Sequence, residues 1–194
     1  STSTTPAPNT TPTPVTTVNT NKYIFLTVGT HKGNFDTSAT IPGNNNGNGI
    51  DDADTFCQTE KANNYASLPG SASDYKAFIV DGTNRRACST NDCSGGISEN
   101  INWVLKANTD YYRLDGTTDT KVFTTNSSGI VNFTGGGLLL TPIDSSTLTK
   151  WWTGMDTNWV FTSVACTVTW ASTSLTANHG AGGTTTAIST NLTT

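Results

Sequence analysis

The stretch NNNGNGIDDAD, from Asn44 to Asp54, is where this chain could hold a metal ion. Calcium loops of the Asp-x-Asp-x-Asp-Gly type place oxygen ligands on alternate residues around a turn that glycine permits. Asn44, Asn46 and Asn48 occupy alternating positions here, and Asp51, Asp52 and Asp54 follow them. Amide carbonyls can ligate calcium, but neutral amides in place of carboxylates weaken the site. The competing reading is a polar loop leading into a helix. Carboxylates in the first turn of a helix accept from its free N–H groups and suit the positive end of its dipole.

Arg85 and Arg86 are the chain's one adjacent pair of arginines, and they follow the turn signal DGTN at 81–84. Guanidinium groups on a stiff turn suit acidic or sulfated partners; a turn that is merely solvated is the competing reading. Cys88 and Cys93 stand five apart around a turn, a spacing that fits a local disulfide pinning this basic loop; two reduced thiols are the alternative. Of the tryptophans at 151, 152, 159 and 170, most are expected in the core, with Trp151 and Trp159 as the candidate anchors for a partner. Asn9, Asn126, Asn132 and Asn191 sit in Asn-x-Ser/Thr sequons.

Catalysis finds little support. His31 and His179 lack metal-ligand spacing, and there is no Gly-x-Ser-x-Gly, phosphate loop or dinucleotide fingerprint. Cys88 follows two arginines, which would favour a thiolate, but a disulfide to Cys93 removes it as a nucleophile. The expectation is a non-enzyme.

These groups need a scaffold, and the chain supplies an uneven one. Only 12% of its 194 residues are charged, against roughly 25% in average globular proteins. Hydroxyls and amides carry its solubility. A net charge of -4 with ten Lys and Arg argues against a phosphate-neutralising face, so no nucleic-acid partner is expected. No apolar run approaches the roughly 20 residues needed to span a bilayer. The chain opens at Ser1 and reads as a processed protein whose targeting segment has been removed. Residues 1–21 are rich in Ser, Thr and Pro and carry no charge. They cannot bury enough apolar surface to fold alone, and so read as an extended stalk, or as a segment that docks as a strand on a sheet edge.

From Lys22 the pattern is that of a domain, 22–194. YIFLTVG (Tyr23 to Gly29) and YKAFIV (Tyr75 to Val80) are near-continuous apolar runs, the signature of buried strands. A helix begins near Asp51, with Ala53, Phe56 and Cys57 on one face and Cys57 looking into the core. Shorter β-like runs follow at 102–105, 111–116, 121–125 and 130–133, then the Trp-rich block 150–170.

ADTFCQTEKANN followed by YKAFIVDGTNRRAC resembles the endostatin-like domain family of Leptospira surface lipoproteins. NWVLKANTDYYRLDG, WTGMDTNW and ACTVTW extend the resemblance from about Lys22 to about Gly183. It implies an α+β, C-type-lectin-like fold: a twisted antiparallel sheet, one or two flanking helices and long loops. It also implies export and anchoring through a lipid outside this chain. In that family the helix cysteine is bonded to a closing C-terminal strand, and the cysteine of Cys-x-x-Trp to another just before it. Cys57 and Cys166 match the first member of each pair, but neither partner is present. Three outcomes stand open: Cys57 and Cys166 pair with each other, both stay free and buried, or the sheet is incomplete and another chain fills its edge. Thr13 to Asn21 is the candidate donor for the last.

The expectation is an extracellular or outer-surface binding protein that adheres to host matrix or captures serum or complement proteins. The alternatives are a filament or sheath subunit assembled from copies of itself by strand exchange, and calcium-assisted carbohydrate binding. The last lacks a clear Glu-Pro-Asn or Trp-Asn-Asp signature.

Overall fold

Helix α1 (Gly49–Asn64) begins where the polar loop ends. In this computed structural model, which describes residues 20–31, 33–37, 47–133, 135–136, 139–143, 150–162, 170 and 182–184 (backbone alone at 150–152 and 182–184), Asn48 caps that helix. Its side-chain oxygen accepts from the Ile50 amide at 3.3 Å, and its own amide donates to Asp51 Oδ2 at 2.7 Å. Asn48 and Asp51 thus act on each other and on the helix N-terminus, the capping role the sequence offered as the alternative to calcium. Ile50, Ala53 and Cys57 are buried along one face of α1, as their spacing requires.

Strand β1 (Lys22–Tyr23) runs parallel to β2 (Asp110–Asp115), and β2 pairs antiparallel with β3 (Thr118–Thr124). The β2–β3 hairpin closes through Gly116–Thr117, with Gly116 at φ +63°, a conformation glycine adopts without strain. A second pair joins β4 (Lys150–Trp152) to β5 (Gly182–Thr184), antiparallel. The chain is therefore a small mixed α+β domain, with one helix and a three-stranded sheet among the described residues.

The runs at 111–116 and 121–125 become β2 and β3. The two strongest strand signals do not become strands. Of Tyr23–Gly29 only Tyr23 joins a ladder, and Tyr75–Val80 joins none. The runs at 102–105 and 130–133 also form no ladder, although Trp103, Leu105, Ile130 and Val131 are buried. These segments are held by side chains instead. Among the described side chains three tryptophans sit in the core, and each indole N–H reaches a backbone carbonyl: Trp103 to Gly129 at 2.8 Å, Trp159 to Val131 at 2.9 Å, Trp170 to Val80 at 3.0 Å. Each bond satisfies a buried donor and ties two loops together.

The largest correction concerns Arg85. The sequence reading put it at the surface, facing an acidic or sulfated partner or solvent; the structure buries it completely. Its guanidinium meets Asp54 of α1 twice, Nη1 to Oδ1 at 2.9 Å and Nη2 to Oδ2 at 2.8 Å. Nη1 also donates to the Ala77 carbonyl at 2.7 Å, and Nε to the Asn102 carbonyl at 3.0 Å. Asp54 Oδ1 accepts the Ala77 amide as well, at 2.8 Å. One ion pair therefore joins α1, the segment at Ala77, the turn at 81–85 and the segment at Asn102. Arg85→Ala should lower the free energy of unfolding by roughly 3 kcal/mol, the low end of the cost of removing one partner of a buried pair, because Lys76 Nζ still stands 3.5 Å from Asp54 Oδ2. Arg86→Ala should cost only about 1 kcal/mol, because Arg86 is half-buried and its Nε makes one bond to a carbonyl. Urea unfolding followed by tryptophan fluorescence compares the two; equal losses would show that Arg85 is not the central tie.

Candidate functional site

The turn that delivers Arg85 is built on Asp81. Its buried carboxylate accepts from the amides of Thr83, Asn84 and Arg85 at 3.0, 2.7 and 3.0 Å. Gly82 takes φ +77°, and a Cβ there would stand 2.7 Å from the Phe161 ring. The DGTN signal is thus a turn for a specific reason: aspartate gathers the amides while glycine supplies both the conformation and the space.

Beyond the turn, Arg86 and Ile101 exchange backbone hydrogen bonds at 2.9 and 3.0 Å. That bridge stands at the base of a largely exposed loop, taken with its flank as residues 89–102. The Cys88–Cys93 disulfide, expected from spacing, is present at its root, and both cysteines are buried. Asp92 and Cys93 each have φ +51°, in the left-handed region that side chains disfavour. The disulfide and Thr90–Ser94 contacts hold them there: the Cys93 amide donates to Thr90 O at 3.1 Å and the Ser94 amide to Asn91 O at 3.2 Å.

Glu99 fixes the rest of the loop. Its buried carboxylate accepts five hydrogen bonds, from the backbone and hydroxyl of Ser89, the backbone and hydroxyl of Thr90, and the Gly95 amide. A Cβ on Gly95 would lie 2.6 Å from Glu99 Oε1, so only glycine lets the amide approach. The Glu99 carbonyl accepts Arg86 Nε at 2.9 Å, so Arg86 serves the loop from beneath and is not displayed by it. On the outer surface stand Ile97, 54% exposed, and Ile101, 36% exposed, among serine, threonine and asparagine side chains.

The other candidates are placed as follows. Trp159 lies in the core with no exposure, so it is not a surface anchor; the Trp151 side chain lies outside the described residues. Asn44 and Asn46 also lie outside them. Asp52 is buried, Asp54 belongs to the Arg85 clamp, and Asn48 and Asp51 form the helix cap. Among the described residues no group of three or more His, Cys, Asp or Glu side chains is arranged to hold a metal ion. Cys57 carries a free, buried thiol; Cys166 lies outside the described residues. Burial, with the Asp54 charge adding to it, pushes the Cys57 thiol up from 9.0 to about 12. That is the opposite of the shift that activates a nucleophilic cysteine.

Sequence reading missed Glu99, Ile97 and Ile101. The available signal was Glu99 itself, a lone charge in the uncharged stretch from Ser94 to Asn102. A buried carboxylate has no positional signature, because its partners here are backbone amides and hydroxyls, which every loop contains.

Burial alone would raise the Glu99 pKa. The hydrogen bonds from Thr90, Gly95 and Ser89 outweigh it and bring the carboxyl down from 4.5 to about 2. A depressed carboxylate contributes stability that is fully present above its unfolded pKa and is lost as pH falls through the folded one. The domain should therefore lose stability progressively between about pH 4.5 and about pH 2. Glu99→Gln should be less stable by about 2 kcal/mol at neutral pH and show a shallower decline over that acid range. Thermal unfolding at stepped pH checks both; an unchanged acid slope in the variant would refute the role given to Glu99.

No curated protein and no solved structure matches the chain. A family model described as a protein of unknown function, DUF1554, matches residues 39–188, which include α1, the Arg85 clamp and the whole disulfide loop. The chain belongs to the DUF1554 family, whose described function is unknown.

Proposed function

We propose that this is a non-enzymatic binding protein of the extracellular or outer cell surface, adhering to host matrix or capturing serum or complement proteins through the loop 89–102. The observation that carries the reading is the loop's construction. It is exposed, free of strands, and yet fixed by a disulfide, a five-bonded buried carboxylate and the Arg86–Ile101 bridge. Pre-ordering a loop removes the entropy that binding would otherwise cost, which is how rigid loops gain affinity. Ile97 and Ile101 give it an apolar centre within a hydroxyl- and amide-rich rim, the composition of a protein-recognition surface more than of a catalytic one.

The same chemistry supports that setting. Short-range disulfides persist in oxidising compartments, and a chain with 12% charged residues and net charge -4 suits an exposed, glycine- and threonine-rich surface better than a nucleic-acid partner. The finer fold assignment, an endostatin-like domain of C-type-lectin-like type, is supported by the presence of one helix and an antiparallel hairpin in the same small domain and by long loops tied through tryptophan indoles. Attachment to the membrane would come through a lipid outside this chain.

Surface plasmon resonance of the oxidised full-length chain over immobilised matrix glycoproteins and complement regulators tests the reading. Binding to at least one, weakened about tenfold or more by Ile97→Asp with Ile101→Asp, is the expected result. Absence of binding, or binding indifferent to both substitutions, would overturn it.

A further inference from the structure

The two apolar runs that fail to become strands line the same groove. It encloses about 680 Å³, and its walls include Phe25 and Leu26 from the first run, Lys76 and Phe78 from the second, and Val104, with Cys57 of α1 facing it. A near-continuous apolar run encodes a strand covered on both faces and paired on both edges. Here neither run is so placed. Tyr23 to Leu26 are only half-buried and Val28 is 69% exposed.

The backbone shows what is missing. Ala77 directs both its N–H and its C=O to the Arg85–Asp54 clamp, and Tyr75 directs its carbonyl to Gln58 of α1. Lys76, between those two residues, and Phe78, at the bend that follows, have backbone groups that make no such bond to α1 or the clamp. Among the described residues, the amides and carbonyls of Phe25, Lys76, Phe78 and Val104 have no hydrogen-bond partner. Unpaired backbone groups beside apolar walls offer hydrogen-bonding positions to one more strand.

We infer that this groove is a strand-acceptor site, and that its occupant is the segment 13–19 of a second copy of this chain. Residues 1–19 lie outside the described structure and lead to Thr20, which stands in the groove's own wall. Extended, they reach roughly 60 Å, enough to span to a neighbouring molecule. The segment Thr-Pro-Val-Thr-Thr-Val-Asn is uncharged and β-prone, with its proline at the leading end where a strand tolerates it. That composition matches a groove whose walls are mainly aromatic and aliphatic. Insertion beside β1 within one chain would need a tight reversal at Thr20–Asn21. Asn21 keeps its side-chain amide on Asp119 of β3 at 2.8 Å. Donation to a second copy needs no reversal, and it is a β-augmentation in which backbone bonds give affinity and the pockets select side chains. The contact is head-to-tail, so it propagates into chains of subunits unless a ring closes. It does not depend on the adhesive role of the loop 89–102.

The test uses the full chain and its Val15→Asp, Val18→Asp double variant, which alters only the donor. Sedimentation velocity over a concentration series should show the wild type self-associating. The double variant, and wild type with excess synthetic peptide of residues 13–19, should sediment as monomers. Amide exchange at Lys76 and Phe78 should be slowed by roughly 100-fold in the wild-type assembly and fast in the variant. A wild type that stays monomeric at every concentration would overturn the inference, whether those two amides exchange fast, meaning an empty groove, or slowly, meaning that the chain fills the groove itself. Assemblies that persist in the double variant would overturn it equally.

Discussion

Arg85 is buried where four segments meet without a common sheet, and its guanidinium supplies hydrogen bonds that strands would otherwise exchange. Burying a guanidinium costs several kcal/mol, and the cost is offset only when geometry is good and nearly every N–H finds an acceptor. Both conditions hold: the pairing with Asp54 is two-pronged, and two backbone carbonyls take further donors. Lysine would not serve, because a point charge cannot present the planar fork that meets Asp54, Ala77 and Asn102 together. The clamp also fixes Asp54, which holds the Ala77 amide and thereby sets which way the Tyr75–Val80 segment turns its backbone.

The disulfide loop depends on that clamp from below. Arg85 fixes the exit of the Asp81 turn, Arg86 then bridges to Ile101, and the loop between closes on Glu99. Two adjacent arginines of the same chemistry thus take different places. Arg85 is consumed by the core, and Arg86 spends its Nε on the Glu99 carbonyl. The arrangement is the same principle at two scales: a buried charge collects polar groups that have no regular secondary structure to satisfy them.

The groove is the counterpart of this economy. Where Ala77 is served by the clamp, its neighbours Lys76 and Phe78 are not. The apolar walls and the free thiol of Cys57 face the same space. Segments that carry strand-forming sequence but lack a strand's partners are locally consistent and globally incomplete, a conflict that a foldable sequence resolves by adding the missing piece.

What could be read from the sequence was what local chemistry dictates. The α1 start, its buried face, the Asp81–Asn84 turn, the β2–β3 hairpin and the Cys88–Cys93 bridge all follow from spacings of a few residues, because capping, helical periodicity, turn conformation and loop closure act over that range. Tertiary structure alone decided the fates of Arg85, Trp159 and Asp54. Each is settled by partners far away in the chain: Arg85 by a carboxylate at |i−j| = 31, Trp159 by a carbonyl at |i−j| = 28. An arginine after a turn, or a tryptophan in a loop, looks the same in sequence whether it faces solvent or core. The choice is made by desolvation and hydrogen-bond satisfaction, which exist only once the chain has brought those partners together.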